Sequence, residues 1–159
     1  GETTAQMLYR FDEDVLSLKP SEVVIQAGIN DLVAGAVVGR GAETVQTTIA
    51  NLAHFVDASR DASAGVVLMT VLRPSSSPPW RAPFWPKGVA AAVEQVNDAI
   101  RGMAGEGVQV IDADAWLAGE ERILPRRYAR DTLHLNEAGY SHLNELIEGA
   151  LGTGTNAVQ

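Results

Sequence analysis

The sequence predicts an α/β protein built on a parallel sheet, and two observations carry that prediction. Short continuous apolar runs at 23–25 and 66–69 read as buried strands, the first buried on both faces, and 108–111 is a third strand candidate. Longer segments with apolar residues at helical spacing flank them, so the order is helix, strand, helix, strand, helix, strand, helix. Met7, Leu8, Phe11, Val15 and Leu18 mark a first helix over 4–18, closed by Lys19-Pro20. Val45, Ile49, Leu52, Ala53 and Val56 line one side of a second over 42–58. Residues 73–88 break the rhythm with five prolines, three serines and three aromatics, a long connection of the kind that often carries function. Val93, Val96 and Ile100 mark a helix over 89–103, and a helical patch follows at 115–117. A last helix over 136–151 turns Ala138, Leu143, Leu146 and Ile147 inward. Residues 1–152 are expected to form one domain, and 153–159 a frayed tail.

Composition narrows the function. The chain has 159 residues, 46% of them hydrophobic and 20% charged, which suits a globular domain rather than a disordered one. Its net charge is −8 and no basic run is longer than Arg126-Arg127, so it lacks the basic face that nucleic acid requires. No apolar run is long enough for a membrane span. The absence of cysteine excludes disulfides, zinc-thiolate sites and cysteine nucleophiles.

In parallel α/β sheets, sites form beyond the carboxyl ends of the strands. Three features fall there: Gly28-Ile29-Asn30-Asp31, the connection from Arg73, and the region after Asp112. Asp131 precedes His134 by three residues, a spacing that lets a carboxylate reach Nδ1 and leave the other nitrogen as a general base. The bland alternative is a solvated Asp and a capping or core His. Asn30 offers a neutral amide to a developing oxyanion, and Gly28 permits a sharp turn. Gly, Asn and Asp are also ordinary turn residues, and Asp31 reads as a brace for that turn. His54 and His142 read as structural, and Asp12/Asp14 and Glu120/Glu121 as solvated acids. Trp80, Phe84 and Trp85 are candidates for a substrate-pocket wall, with a clamp on the long connection as the alternative.

Together these pieces resemble the SGNH hydrolase family, the GDSL-like esterases and lipases. Gly1-Glu2-Thr3-Thr4, followed by a helix and Lys19-Pro20, resembles the family's second block. Gly28-Ile29-Asn30-Asp31 after an apolar strand resembles the third, written G-x-N-D. The run from Asp131 through Leu133, His134, Asn136 and Gly139 to Tyr140 resembles the fifth. The resemblance implies a flavodoxin-like three-layer α/β/α fold and ester hydrolysis through an acyl-enzyme, with no cofactor and no metal. It assigns His134 as base and Asp131 as its orienting partner. It assigns the Asn30 amide and the Gly1 backbone N–H to the oxyanion hole.

The family's first block, G-D-S after the first strand, is not among these residues. The nucleophilic serine and the N-terminal strands are therefore expected on an N-terminal fragment or a partner chain that completes the sheet. Ser75, Ser76 and Ser77 are weaker candidates for that role. Two rival readings are a catalytically inactive binding module for an acyl or sugar ligand, and a metal-dependent hydrolase built on Asp31, Asp131 and His134.

Overall fold

The structure is a computed structural model that describes residues 1–77, 79–80, 85–119 and 122–154. Six helices and three strands alternate among them: α1 (Thr4–Asp14), β1 (Glu22–Ile25), α2 (Ile29–Val37), α3 (Gly41–Asp61), β2 (Gly65–Met69), α4 (Val89–Gly102), β3 (Val108–Ile111), α5 (Ala113–Ala118) and α6 (Glu137–Gly154). Short 3-10 turns cover Leu16–Leu18 and Arg126–Tyr128. The strands form one parallel sheet in the order β1-β2-β3, flanked by helices, so the predicted fold class holds. The register runs from Glu22 opposite Gly65 to Ile25 opposite Leu68. Of the tail expected at 153–159, residues 155–159 lie outside the described residues, and α6 extends to Gly154.

The chain divides into two compact units, one formed by Gly1–Val71 with Pro86–Val110 and the other by Leu72–Trp85 with Ile111–Gln159. The first unit holds a continuous apolar core. Leu52, Phe55, Leu68, Val93, Val96 and Ile100 are wholly buried there, and Phe11 meets Phe55 edge-on with ring centroids 4.8 Å apart. Each such side chain contributes about 1.5–3 kcal/mol by leaving water. A polar link joins α4 to the end of β2 in this core. Asn97 on α4 accepts the Val71 N–H and returns its amide to the Val71 carbonyl, at 2.7 and 2.9 Å, which satisfies the backbone where β2 has ended.

The second unit is smaller and packs Ile111, Leu117, Leu124, Leu135 and Leu143. His142 is stacked against both Trp116 and Tyr128, with centroids 5.1 Å apart in each pair. Asp114, with 1% of its side chain exposed, accepts the Arg73 backbone N–H and the Arg73 guanidinium, both at 2.9 Å. A buried carboxylate with a charged partner and a backbone donor is fully answered.

Two expectations need correction. β1 is not buried on both faces: Val23 and Ile25 point into the core, while Val24 is 48% exposed and Glu22 faces solvent. The strand lies at an edge of the sheet, and no described element covers its outer face; β2, in the middle, is buried almost throughout. An apolar groove of about 320 Å³ runs beside β1, lined by Met7, Phe11, Val15 and Val24 among others. The second correction concerns Gly28-Ile29-Asn30-Asp31, read as a strand-ending turn. It turns and then opens a nine-residue helix, α2, that the sequence reading did not contain.

Candidate active site

The first unit builds its polar centre around Asn30. Gly28 has φ +122°, a conformation that side chains resist, and a Cβ there would press on Thr48 and Val71 at 3.1 and 3.2 Å. The chain therefore turns off β1 at a residue only glycine fills comfortably, and Asn30 falls in the first turn of α2. Its Nδ2 donates to the Glu2 carbonyl at 2.9 Å. An amide nitrogen carries two hydrogens, so one N–H remains for another acceptor. Gly1 lies so close to this amide that a Cβ on it would overlap Asn30 Nδ2.

Asp31 explains how that contact is held. Its buried carboxylate accepts the Thr4 backbone N–H at 2.9 and 3.1 Å and the Thr4 hydroxyl at 2.6 Å. Asn51 on α3 donates to the same Thr4 oxygen at 2.8 Å. Thr3 caps α1, its side chain accepting from the Gln6 backbone while Gln6 answers the Thr3 N–H. The segment 1–4 is thus tied to α2 from both sides of Asn30. Asp31 braces, as expected, although it braces the start of α1 rather than its own turn.

The second unit builds its centre from a few consecutive residues. Asp131 Oδ1 accepts the backbone N–H groups of Leu133 and His134 at 2.9 and 2.8 Å. Both carboxylate oxygens lie at 2.9–3.0 Å from His134 Nδ1. Partial desolvation raises the Asp131 pKa, but the two N–H donors and the imidazole together outweigh it and hold it at about 2. An ionised carboxylate only accepts, so Nδ1 carries the hydrogen of this contact, and in the neutral imidazole that leaves Nε2 as the acceptor.

The rest of the motif keeps this loop in shape. His134 takes the Arg130 N–H on its carbonyl at 2.8 Å, and Ala129 pairs with Leu135 in an antiparallel bridge. Leu135 is buried, and Asn136 closes the start of α6 by accepting the Gly139 N–H at 2.9 Å and donating to the Arg127 carbonyl. A Cβ at Gly139 would run into the Tyr128 carbonyl, so α6 seats itself only because that position is glycine. Ser75 donates its backbone N–H to the Thr132 carbonyl at 2.9 Å.

The aromatic candidates separate. Trp80 lines a cleft of about 370 Å³ with Ser75, Ser76, Arg126, Arg130 and Asp131, and Trp85 borders a smaller one of about 200 Å³ with Ser77, Asp131 and Leu133. Phe84 lies outside the described residues. His142 is the stacked structural residue the sequence suggested. No group of three or more metal-ligating side chains occurs among the described residues. Sequence reasoning passed over Arg126 and Arg130, which line the larger of these two clefts. The available signal was three arginines within five positions of an acidic chain.

A parallel sheet flanked by helices is the fold of the ester hydrolases of the SGNH type. A family model for GDSL-like lipases and acylhydrolases matches residues 1–142, and the chain belongs to that family of carboxylic ester hydrolases. Among solved structures, the chain is similar to a GDSL-like lipase from Bacteroides thetaiotaomicron, at 27% identity and a TM-score of 0.72, over 96% of this chain and 72% of that one. It also resembles a catalytic mutant of an acetylxylan esterase from Geobacillus stearothermophilus, at 21% identity and a TM-score of 0.69, over 95% and 68%. The latter likeness speaks for the fold alone. No curated protein matches the sequence. Among the described residues no helix is long and apolar enough to cross a membrane.

Proposed function

We propose that this chain supplies the base, its orienting acid and the oxyanion donors of a serine esterase that works through an acyl-enzyme on a small ester. His134 Nε2 takes the proton of a serine hydroxyl as that oxygen adds to the ester carbonyl. Asp131 holds the Nδ1–H and stabilises the imidazolium. The Asn30 N–H that Glu2 leaves unused and the Gly1 backbone N–H receive the negative charge growing on the carbonyl oxygen. Collapse expels the alcohol, which takes the proton from His134. Water then repeats the cycle on the acyl-serine and releases the acid. The observation that carries this reading is the two-oxygen contact of an ionised Asp131 with His134 Nδ1.

The serine belongs, in this reading, to a segment outside these 159 residues that pairs with the free edge of β1 and fills the apolar groove beside it. The serines near Asp131 favour that assignment. Ser75 is buried, the Ser76 oxygen accepts from Arg126 Nε at 3.1 Å, and the Ser77 oxygen lies 3.5 Å from the Thr132 hydroxyl. No serine hydroxyl among the described residues is hydrogen-bonded to His134.

Intact-mass analysis of the full-length protein before and after a fluorophosphonate probe tests the proposal. One adduct on a serine outside these residues, lost in His134→Ala, is expected. An adduct on Ser75, Ser76 or Ser77 would refute the placement of the nucleophile, and the absence of both adduct and ester turnover would refute the mechanism.

A further inference from the structure

Resting on that esterase reading, we infer that the cleft beside Asp131 selects esters bearing a carboxylate, and that Arg126 is the residue that binds it. The cleft is lined by Ser75, Ser76, Trp80, Arg126, Arg130 and Asp131, among others, all within one compact unit. Two arginines and one aspartate line it, in a chain whose net charge is −8. That carboxylate is already answered by two backbone N–H groups and the imidazole, and Arg130 Nε stands 3.9 Å from it.

The three neighbouring arginines are not equivalent. The Arg127 guanidinium lies 4.8 Å from the Tyr128 ring centroid, spent on a cation–π contact. Arg130 is drawn toward Asp131. Arg126 is fixed through Nε by the Ser76 oxygen, and its two terminal nitrogens make no hydrogen bond or ion pair among the described residues. A guanidinium held by Nε presents its two terminal nitrogens end-on, one N–H of each forming a fork that fits the two oxygens of a carboxylate.

The wall holding Arg126 is firm. Ser75 bridges to Leu124 on one side and donates to the Thr132 carbonyl on the other, so the arginine's anchor and the loop of Asp131 share a backbone frame. Trp80, 73% exposed, offers a broad apolar face beside this charge. A large ring left in water next to an open guanidinium is the composition of a binding wall, apolar for the body of a ligand and cationic for its end.

The test compares kcat/KM in the full-length protein for paired esters of similar size. 4-Nitrophenyl succinate against 4-nitrophenyl pentanoate places the carboxylate on the acyl side; 3-carboxyphenyl acetate against phenyl acetate places it on the alcohol side. In one pair the anionic ester is expected to be favoured about ten- to a hundredfold, the range of a charge-assisted hydrogen-bonded pair. Arg126→Gln should cut that ratio about tenfold and Arg126→Lys restore part of it, with added salt eroding it. Ratios near or below one in both pairs, or a ratio that Arg126→Gln leaves unchanged, would overturn the inference. If no ester is turned over, the esterase reading fails instead, and the cleft is judged by binding alone. Monomethyl succinate should then quench Trp80 fluorescence saturably, with Trp80→Phe as reference, and bind about tenfold more weakly in Arg126→Gln. No saturable quench, or one indifferent to Arg126, would overturn it.

Discussion

The Asn30 centre and the His134 centre both hold a polar group in place, but they hold it by opposite means. Asn30 depends on partners far away in sequence: Glu2 is 28 residues off, and its neighbour Asp31 bonds Thr4 across 27. Asp31 and Thr4 are buried, so the arrangement exists only once α1, α2 and α3 have packed. His134 is oriented by a carboxylate three residues earlier, in a half-exposed loop tied mainly by its own backbone. One centre is a product of the fold, the other of a local motif. Damage to packing should therefore cost the first centre far more than the second.

Variants of the full-length protein sharpen this contrast. The largest effect belongs to Asp131→Asn, which reverses the preferred tautomer of His134 while leaving the loop in place. The kcat should fall about 10⁴-fold with little change in the denaturation midpoint. An activity within tenfold of the parent would remove Asp131 from the mechanism. Asn30→Ala comes next, with kcat lowered about 10²–10³-fold for loss of one oxyanion donor. If only KM rises, Asn30 binds the ground state and not the transition state.

Asp31→Asn tests the packed centre through stability. Replacing the acceptor of two Thr4 hydrogen bonds should cost about 2 kcal/mol in urea unfolding, with His134 and Asp131 undisturbed in NMR spectra. A loss in both centres alike would erase the contrast. The smallest effect is electrostatic. Asp131 at about pKa 2 lies below its ordinary 3.8, so its contribution to stability is complete above the ordinary value and lost as pH falls through about 2. Carboxyl NMR should show that midpoint, and a titration near 4 would mean the bonds to Leu133 and His134 do not persist in solution.

The same contrast explains what the sequence disclosed. The contact between Asp131 and His134 was legible because both partners lie within four residues, and the strands were legible because apolar runs are local. α2 was hidden. Its opening residues are those of a turn, and its body mixes Ala, Gly and Val without a clear polar face. The outward face of β1 was equally hidden, since Val24 is as apolar as Val23 and only the strand's place at the sheet edge separates them. Arg73 and Asp114 are 41 residues apart, and no periodicity announces such a pair. Long-range polar partners follow from topology, which local pattern does not encode.

The buried carboxylate under Thr4 has a consequence on the clock as well as on the scale of energy. An amide in the first position of a helix has no intrahelical acceptor, and such groups ordinarily trade their hydrogen with water almost freely. Thr4 donates instead into Asp31, beneath a hydroxyl that Asn51 also holds. Its deuterium uptake will follow the opening of the core around α1 and α3 rather than fraying at the helix tip. A single slow amide at residue 4, ahead of faster ones at Glu2 and Thr3, would time how long the Asn30 centre stays assembled.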